Sequence, residues 1–142
     1  MAIGFKIMIH FFFEDIDEIA ISPEIKPWLE NLLISEGKKP GVLNYVFCSD
    51  EYLLKINREY LDHDYLTDII TFDYVKGKTV SGDIFVSLHR ISENALLHDN
   101  SFDTELLRVT AHGLLHLCGY KDKTEVEISE MRSKEDFYIN QF

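Results

Sequence analysis

Several features that would place this chain of 142 residues in a special class are scarce. It has only two cysteines, Cys48 and Cys118, which are too few for a disulfide scaffold. A chain of this length can bury its own core without such cross-links, so a reducing, cytoplasmic setting is expected. No internal repeat, low-complexity segment or linker interrupts the sequence, and a single domain over residues 1–142 is predicted.

Positive charge is also scarce. The chain has 14 Lys and Arg residues against 25 Asp and Glu residues, which gives a formal net charge of −11. Nucleic-acid-binding proteins usually carry a basic balance, because neutralisation of phosphates drives their affinity. If this protein acts on RNA, it must therefore do so through a local basic patch, a metal ion or a partner.

Long hydrophobic runs are missing too. The most apolar segment, residues 3–13, is interrupted by Lys6 and His10 and is followed by acidic residues without a cleavage site. It is shorter than the roughly 20 apolar residues that a membrane span needs, and it does not have the pattern of a signal peptide. We therefore expect a core or edge strand there and no association with a membrane.

Periodicity and capping signals predict four strands and five helices. The predicted strands are Phe5–Phe13, Val42–Cys48, Ile69–Tyr74 and Gly82–Leu88. The predicted helices are Ser22–Gly37 with Ser22 as N-cap, a short one from a cap at Ser49 or Asp50 to about Tyr60, Ile91–Leu97, Phe102–Leu117 and a last one from a capping box at Thr124 towards Phe137. The third and fourth strands could pair as a hairpin. This order favours an α+β fold, in which helices pack on a mixed sheet of about four strands.

Two histidines four residues apart, His112 and His116, lie in the predicted helix Phe102–Leu117. On a helix they share one face, one turn apart, so their imidazoles could converge on one metal ion. The same spacing also arises by chance, and a pair of structural histidines is the alternative. Gly119 follows where a left-handed glycine cap would end the helix. Beyond that reversal, Asp122 could turn back as a third ligand.

The residue after the first histidine excludes one familiar chemistry. A zinc protease helix reads H-E-x-x-H, and its glutamate is the general base. Here that position is Gly113, which argues against peptidase action by this route. A glycine inside a helix costs about 1 kcal/mol relative to alanine, so its presence predicts a close approach of backbone or substrate.

Residues 112–120, H-G-L-L-H-L-C-G-Y, resemble the signature of the YbeY family of metal-dependent endoribonucleases. That signature reads H-G-x-L-H-L-x-G-Y-D-H, and its three histidines hold a zinc ion. The family's upstream elements N-x-x-Y-R, D-x-P-T-D-V-L-S-F and L-G-D-I are similar to segments that contain Asn57 and Tyr60, Asp64–Phe72 and Ser81–Ile84. The resemblance covers about residues 49–137, in compatible order and spacing.

Four positions depart from the family pattern. The third histidine of the family falls on Asp122, and the aspartate before it falls on Lys121. A carboxylate can replace an imidazole and leave a His₂Asp site with an open position. Because a carboxylate is a harder ligand, Mn²⁺ or Fe²⁺ would compete with Zn²⁺. Leu61 stands where the family carries an arginine thought to engage RNA phosphate, and Leu66 replaces a proline.

The resemblance implies a zincin-like metal-binding helix and a metal-dependent single-strand endoribonuclease that acts in ribosomal RNA processing and maturation. Its substrate would be rRNA or a ribosomal subunit, with a ribosomal protein as a further candidate partner. Metal-activated water would hydrolyse the phosphodiester. Two alternatives stay open: a ribosome-associated factor with a structural metal and little nuclease activity, and a metal-dependent hydrolase of another substrate.

Matched segments supply the remaining candidate residues. Thr67 and Asp68 are candidates for catalysis or positioning, although turn and cap chemistry is the alternative. Asp83 is interpreted as satisfying backbone groups or orienting a ligand histidine. His63 could donate a proton or be a solvated loop residue.

Candidates for RNA contact are few. Arg58, which precedes the position of the missing arginine by about one helical turn, and Lys121 are proposed for that role. The charges from Lys121 to Asp136 are interpreted as a solvated helix face rather than a binding tail.

Overall fold

A computed structural model describes residues 8–62 and 67–142, and it has the predicted order of elements. The strands are β1 (Ile9–Glu14), β2 (Lys39–Cys48), β3 (Ile69–Asp73) and β4 (Thr79–Ser87). The helices are α1 (Ile25–Ser35), α2 (Asp50–Leu61), α3 (Leu88–Leu97), α4 (Phe102–Leu117) and α5 (Glu125–Ile139). The predicted beginning of the first strand at Phe5, and the loop positions His63 and Leu66, lie outside the described residues. None of the described helices combines the length and apolar character needed to cross a membrane.

The four strands form one mixed sheet in the order β1-β2-β4-β3. β1, β2 and β4 run parallel, whereas β3 pairs antiparallel with β4. The predicted hairpin of β3 and β4 is therefore confirmed, and Gly77 takes a positive φ of 59° in its turn. Together with the five helices, this sheet confirms the predicted α+β class.

The two faces of the sheet are covered by different helices, and the alternation of β4 sets this arrangement. Ile84 and Val86 are fully buried in the main core, to which α1 and α4 contribute most of the helical residues. Phe85, between them, packs on the opposite face in a smaller cluster with Leu53 and Ile56 of α2. This division of β4 into two faces places α4 directly on the sheet.

α4 lies close to the sheet because Gly113 has no side chain. A Cβ atom at this position would lie 2.6 Å from Ile69 Cδ1 and 3.0 Å from Ile84 Cγ2. Both neighbours belong to the hairpin, so the predicted close approach is one of helix backbone to sheet. The glycine that replaces the protease glutamate therefore has a packing role.

The first helix begins later than predicted. Ser22 is not its N-cap: the cap is Glu24, without a side-chain cap bond, and the helix begins at Ile25. Ser22 Oγ instead accepts from the Glu24 N–H at 3.3 Å, and the Ser22 carbonyl accepts from the Ile25 N–H at 3.2 Å. The Ser-Pro pair thus forms a turn ahead of the helix. Of the two candidates for the cap of α2, Ser49 is the N-cap. The predicted cap at Thr124 is confirmed, with a complete capping box.

Gly82 is a second point of close contact, and it gives a stability prediction. A Cβ atom there would lie 2.6 Å from the Phe72 backbone oxygen and 2.9 Å from Leu117 Cδ1. Because a paired strand cannot move away cheaply, Gly82→Ala is expected to lower the free energy of unfolding by about 1–3 kcal/mol. Urea denaturation would measure this change. The neighbouring Ser81→Ala is the control, and an equal loss in both variants would contradict the steric explanation.

Candidate metal centre

After the C-terminal end of α4, the chain reverses direction towards His112 and His116. Gly119 has a φ of +108°, a region in which glycine is favoured. Its N–H donates to the His116 carbonyl at 3.0 Å, and the Tyr120 N–H donates to the Leu115 carbonyl at 3.1 Å. These two bonds form a Schellman motif. The predicted glycine cap is confirmed, and the reversal brings Asp122 back alongside the helix.

Three side-chain atoms meet at this point. The Nε2 atoms of His112 and His116 are 3.0 Å apart, and each lies 3.2 Å from Asp122 Oδ2. All three side chains are partly exposed, so the place where they converge is open on one side. Among the described residues, this group of His and Asp side chains could hold a metal ion.

The hydrogen bonds on the far side of each imidazole fix its tautomer. His116 Nδ1 lies 3.0 Å from the Tyr120 carbonyl oxygen, which can only accept, so Nδ1 carries the proton. His112 Nδ1 lies 2.7 Å from Glu135 Oε2, and a carboxylate accepts in the same way. In the neutral imidazoles, both Nε2 atoms therefore present lone pairs to each other and to Asp122. Three such acceptors suit a cation, either a proton on one imidazole or a metal ion.

The spacing of the three atoms fits a tetrahedral ion. Zinc binds imidazole nitrogen and carboxylate oxygen at about 2.0–2.2 Å, so two ligand atoms of a tetrahedron lie about 3.3 Å apart. The separations of 3.0–3.2 Å are close to this value. Three protein ligands leave a fourth position for water or substrate, as in catalytic zinc sites.

Glu135 was not predicted from the sequence. Only 4% of its surface is exposed, although it belongs to the segment interpreted as a solvated face. It accepts from Arg108 Nη1 at 2.9 Å through one oxygen and holds His112 through the other. Its position between Met131 and Tyr138 on the buried stripe of α5 was the available signal. That interpretation is wrong for Glu135. The guanidinium of Arg108 forms ion pairs with both Glu135 and Asp136.

The interpretation of Asp83 as a residue that orients a ligand histidine is wrong as well. Its Oδ1 accepts from the Asn44 side-chain amide at 3.0 Å, and its Oδ2 accepts from the Tyr74 hydroxyl at 3.3 Å. These contacts join neighbouring parts of the sheet. The partners that orient the histidines are instead a carboxylate of α5 and the carbonyl of Tyr120.

The field of this centre favours positive charge. Burial opposes protonation of His112, but its hydrogen bond with Glu135 and the charges of Glu135, Asp122 and Asp68 outweigh that effect. They raise the pKa of His112 above its ordinary value. The same negative charges would stabilise a bound metal ion. That ion would replace the second proton of the imidazole, because the two compete for Nε2.

Tyr120, whose carbonyl orients His116, is itself held by a cluster around Glu36 at the end of α1. The Tyr120 hydroxyl donates to Glu36 Oε1 at 2.6 Å. The other carboxylate oxygen of Glu36 accepts from the Tyr138 hydroxyl, and from Lys134 Nζ at 3.2 Å. Burial favours a higher pKa for Glu36, but these three hydrogen bonds and the Lys134 charge together outweigh it and lower the pKa below its ordinary value. The loop from Gly119 to Asp122 is thereby held to both α1 and α5.

A cavity of about 320 Å³ opens beside the three converging atoms and includes Asp68, His112 and Asp122 in its lining. The predicted candidate Asp68 therefore lies at the site. Thr67 does not line this cavity, and its hydroxyl makes a local contact to the Ile69 carbonyl at 3.4 Å, which is the turn chemistry given as the alternative. A larger cavity of about 590 Å³ lies against Phe11 and Lys26, outside this centre.

The candidates for RNA contact lie on exposed surface. Arg58 is exposed on α2, and Lys121 is exposed on the loop next to Asp122. Cys118 packs partly buried against the core, and burial raises its pKa to about 11. It does not belong to the group of converging atoms.

A mixed sheet with a helix that carries two histidines, followed by a carboxylate beyond a glycine turn, defines the class: an α+β fold with a zincin-like metal-binding helix. The family model described as "Endoribonuclease YbeY" matches residues 10–142. The chain belongs to the YbeY family. The predicted membership of an endoribonuclease family is thus confirmed, and the match extends beyond the segment that the sequence motifs covered.

Relatives named Endoribonuclease YbeY match nearly the whole chain. One from Flavobacterium johnsoniae is 52% identical over 135 residues, which are 95% of this chain and 97% of the relative. One from Cytophaga hutchinsonii is 54% identical over 131 residues, 90% of this chain and 91% of the relative. The solution structure of TM1509 from Thermotoga maritima has a TM-score of 0.66 at 28% identity, and the match covers 94% of this chain and 87% of that one.

Proposed function

We propose that this protein is a metal-dependent endoribonuclease that cleaves single-stranded RNA in ribosomal RNA processing and maturation. His112, His116 and Asp122 would hold one Zn²⁺ ion. The observation that carries the proposal is the convergence of three acceptor atoms within 3.0–3.2 Å of one another, in a chain of the YbeY family. The carboxylate ligand makes Mn²⁺ or Fe²⁺ competitors of Zn²⁺.

Each residue of the centre has a separate part in this function. When bound, the ion supplies a Lewis acid that polarises a phosphate oxygen and lowers the pKa of water. Glu135 and the Tyr120 carbonyl hold the two imidazoles with Nε2 free to bind it. Asp68, which lines the same cavity, is our candidate for accepting a proton from the attacking water or for positioning that water.

RNA would be held by a small number of cations. Arg132, whose side chain is 57% exposed, lines the cavity beside the centre and was not proposed from the sequence. Lys121 and Arg58 remain our candidates for phosphate contact further out. With so little positive charge, we expect the neutralisation of the scissile phosphate to depend on the metal ion more than on side chains. The substrate is rRNA or a ribosomal subunit in the cytoplasm, with a ribosomal protein as a candidate partner.

Replacing the third ligand tests this function. Asp122→Ala should lower metal affinity by more than about 100-fold, because removing a direct ligand exceeds the 10–100-fold effect typical of an outer hydrogen-bond partner. Cleavage of a single-stranded rRNA fragment should fall with metal occupancy. The two measurements are a competition titration with a chelator and a gel-based cleavage assay.

Asp122→His is the matched variant, because it restores a ligand of the kind that the family carries at this position. It should regain both metal binding and cleavage. If Asp122→Ala binds metal weakly but cleaves as fast as the wild type, the ion does not act in cleavage. That result would support the alternative hypothesis of a ribosome-associated factor with a structural metal. If the metal-loaded wild type does not cleave RNA, the nuclease proposal is contradicted.

A further inference from the structure

The cavity beside the metal centre extends well beyond the proposed metal ligands. It continues along α4 between α3 and α5, from Asp122 and His112 to Glu105 and His98. Its lining combines apolar side chains, among them Val109 and Met131, with polar ones. This combination suits a flat organic group with a few hydrogen-bonding atoms at its edge.

Glu105 is the unusual residue of this cavity. It is only 3% exposed, yet its Oε2 has no hydrogen-bond partner among the described residues. Its Oε1 lies 3.9 Å from His98 Nδ1, which is too long for a hydrogen bond. A buried acceptor without a partner is unfavourable, and a ligand that brings a hydrogen-bond donor would satisfy it.

The position of Glu105 within α4 makes a charged carboxylate tolerable there. It lies in the first turn of the helix, after the N-cap Ser101, where the helix dipole favours negative charge. Arg108, one turn further on, also has a buried atom, Nε, that has no hydrogen-bond partner in the described part of the chain, but its terminal nitrogens bind Glu135 and Asp136. The carboxylate of Glu105 accepts hydrogen bonds and donates none. A group that fills the cavity must therefore bring the donors.

Glu105 also lies at a suitable distance from the proposed ion. It precedes His112 by seven residues, which is about two helical turns or roughly 10 Å along the same face. Val109 lies between them on that face and lines the same cavity. This separation matches the reach from a phosphate to the base of the same nucleotide. A nucleotide whose phosphate lies at the metal centre could thus place its base against Val109 and Met131, with its edge at Glu105.

We propose that this cavity is a binding site for a guanine base of the RNA substrate, and that Glu105 recognises its Watson–Crick edge. This inference rests on the proposed function. Guanine presents two adjacent N–H donors, at N1 and N2, which a carboxylate can accept together. Adenine and cytosine present one amino group beside an acceptor nitrogen, and the single N–H of uracil is flanked by two carbonyl oxygens. Those acceptors would face the negative charge of Glu105, so guanine is selected against all three.

The test uses nucleosides, which have no phosphate to bind the metal. Guanosine, inosine and adenosine are titrated into the full chain, and NMR chemical-shift changes give a Kd for each. Guanosine should bind about tenfold or more tightly than adenosine, as for other bidentate base contacts. Inosine lacks the N2 amino group and should lie between them. Glu105→Gln should remove most of this preference, because its amide would point a donor at a guanine donor.

Glu130→Gln is the matched control, since Glu130 is exposed on α5 outside this cavity, and it should bind all three nucleosides as the wild type does. Equal affinities for guanosine and adenosine, no binding of any nucleoside, or an unchanged preference in Glu105→Gln would each overturn the proposal.

A cleavage assay separates this proposal from the proposed function. Metal-loaded protein is given two single-stranded RNAs that differ by one G-to-A replacement, and cleavage next to that position should fall by about the same factor as the nucleoside affinity. Guanosine preference without cleavage of either RNA would support the pocket and overturn the nuclease. Equal cleavage of both RNAs at that position would support the nuclease and overturn the pocket.

Discussion

Replacement of His112 by alanine is expected to abolish metal binding and RNA cleavage together, and His116→Ala should do the same. Each variant removes one of two imidazole nitrogens that point at a common centre, and leaves two acceptors that cannot enclose an ion. Elemental analysis should give about one metal ion per wild-type chain and none in either variant. Cleavage of single-stranded RNA should fall to the background level.

Thermal stability provides an independent readout of the same change. A ligand that binds only the folded state at about 1,000 times its Kd stabilises that state by about 4.1 kcal/mol. Added Zn²⁺ should therefore raise the Tm of the wild type and leave that of His112→Ala unchanged. His10→Ala, at an exposed position of β1, is the control and should respond as the wild type does. Full metal occupancy in both histidine variants would show that the ion binds elsewhere.

Replacing Glu135 should lower the metal affinity, although Glu135 is not one of the proposed ligands. Its carboxylate lies 2.7 Å from His112 Nδ1 and holds the imidazole with Nε2 towards the centre. Loss of such an outer partner typically lowers metal affinity about 10–100-fold, which is the effect expected for Glu135→Ala. Glu135→Gln retains an oxygen that can accept from Nδ1–H, so its loss should be smaller. Chelator competition measures both, and Co²⁺ substitution reports the ligand geometry through its visible spectrum.

A matched control separates orientation of His112 from loss of an ion pair. Asp136 binds the same Arg108 at 2.8 Å, but its side chain is 53% exposed. Among the described residues, it makes no hydrogen bond to His112. Asp136→Asn should leave the metal affinity and the Co²⁺ spectrum unchanged, because exposed ion pairs contribute little. If it weakens metal binding as much as Glu135→Ala does, the effect passes through Arg108 and not through the histidine.

The sequence carried the element order, the main site helix and its glycine stop, because these depend on local patterns. Helical spacing placed His112 and His116 on one face, and Gly119 marked the reversal that returns Asp122 to them. Family motifs then supplied the activity, which spacing alone could not. Local signals were less reliable at Ser22, where a turn that resembles a cap stands before the helix.

The residues that support the proposed ligands could not be predicted from local patterns, because they come from distant parts of the chain. Glu135 is 23 residues from His112, and its charge resembles that of the exposed face of α5 until its burial is known. Asp83 was the opposite case, since its place in a family motif suggested a role at the histidines, whereas its contacts lie in the sheet. Glu105 likewise gains its meaning only from the cavity that it lines.

The cluster around Glu36 bears on whether the metal-binding motif can be transferred. Residues 112–122 contain all three proposed ligands, yet the loop that carries Asp122 is anchored through Tyr120 to a residue 84 positions earlier. Zinc-finger peptides fold around their ion as independent units. The motif of this chain lacks that autonomy, since its geometry depends on α1 and α5. A graft of the signature into another scaffold would carry over the ligand atoms without the supports that hold them in place.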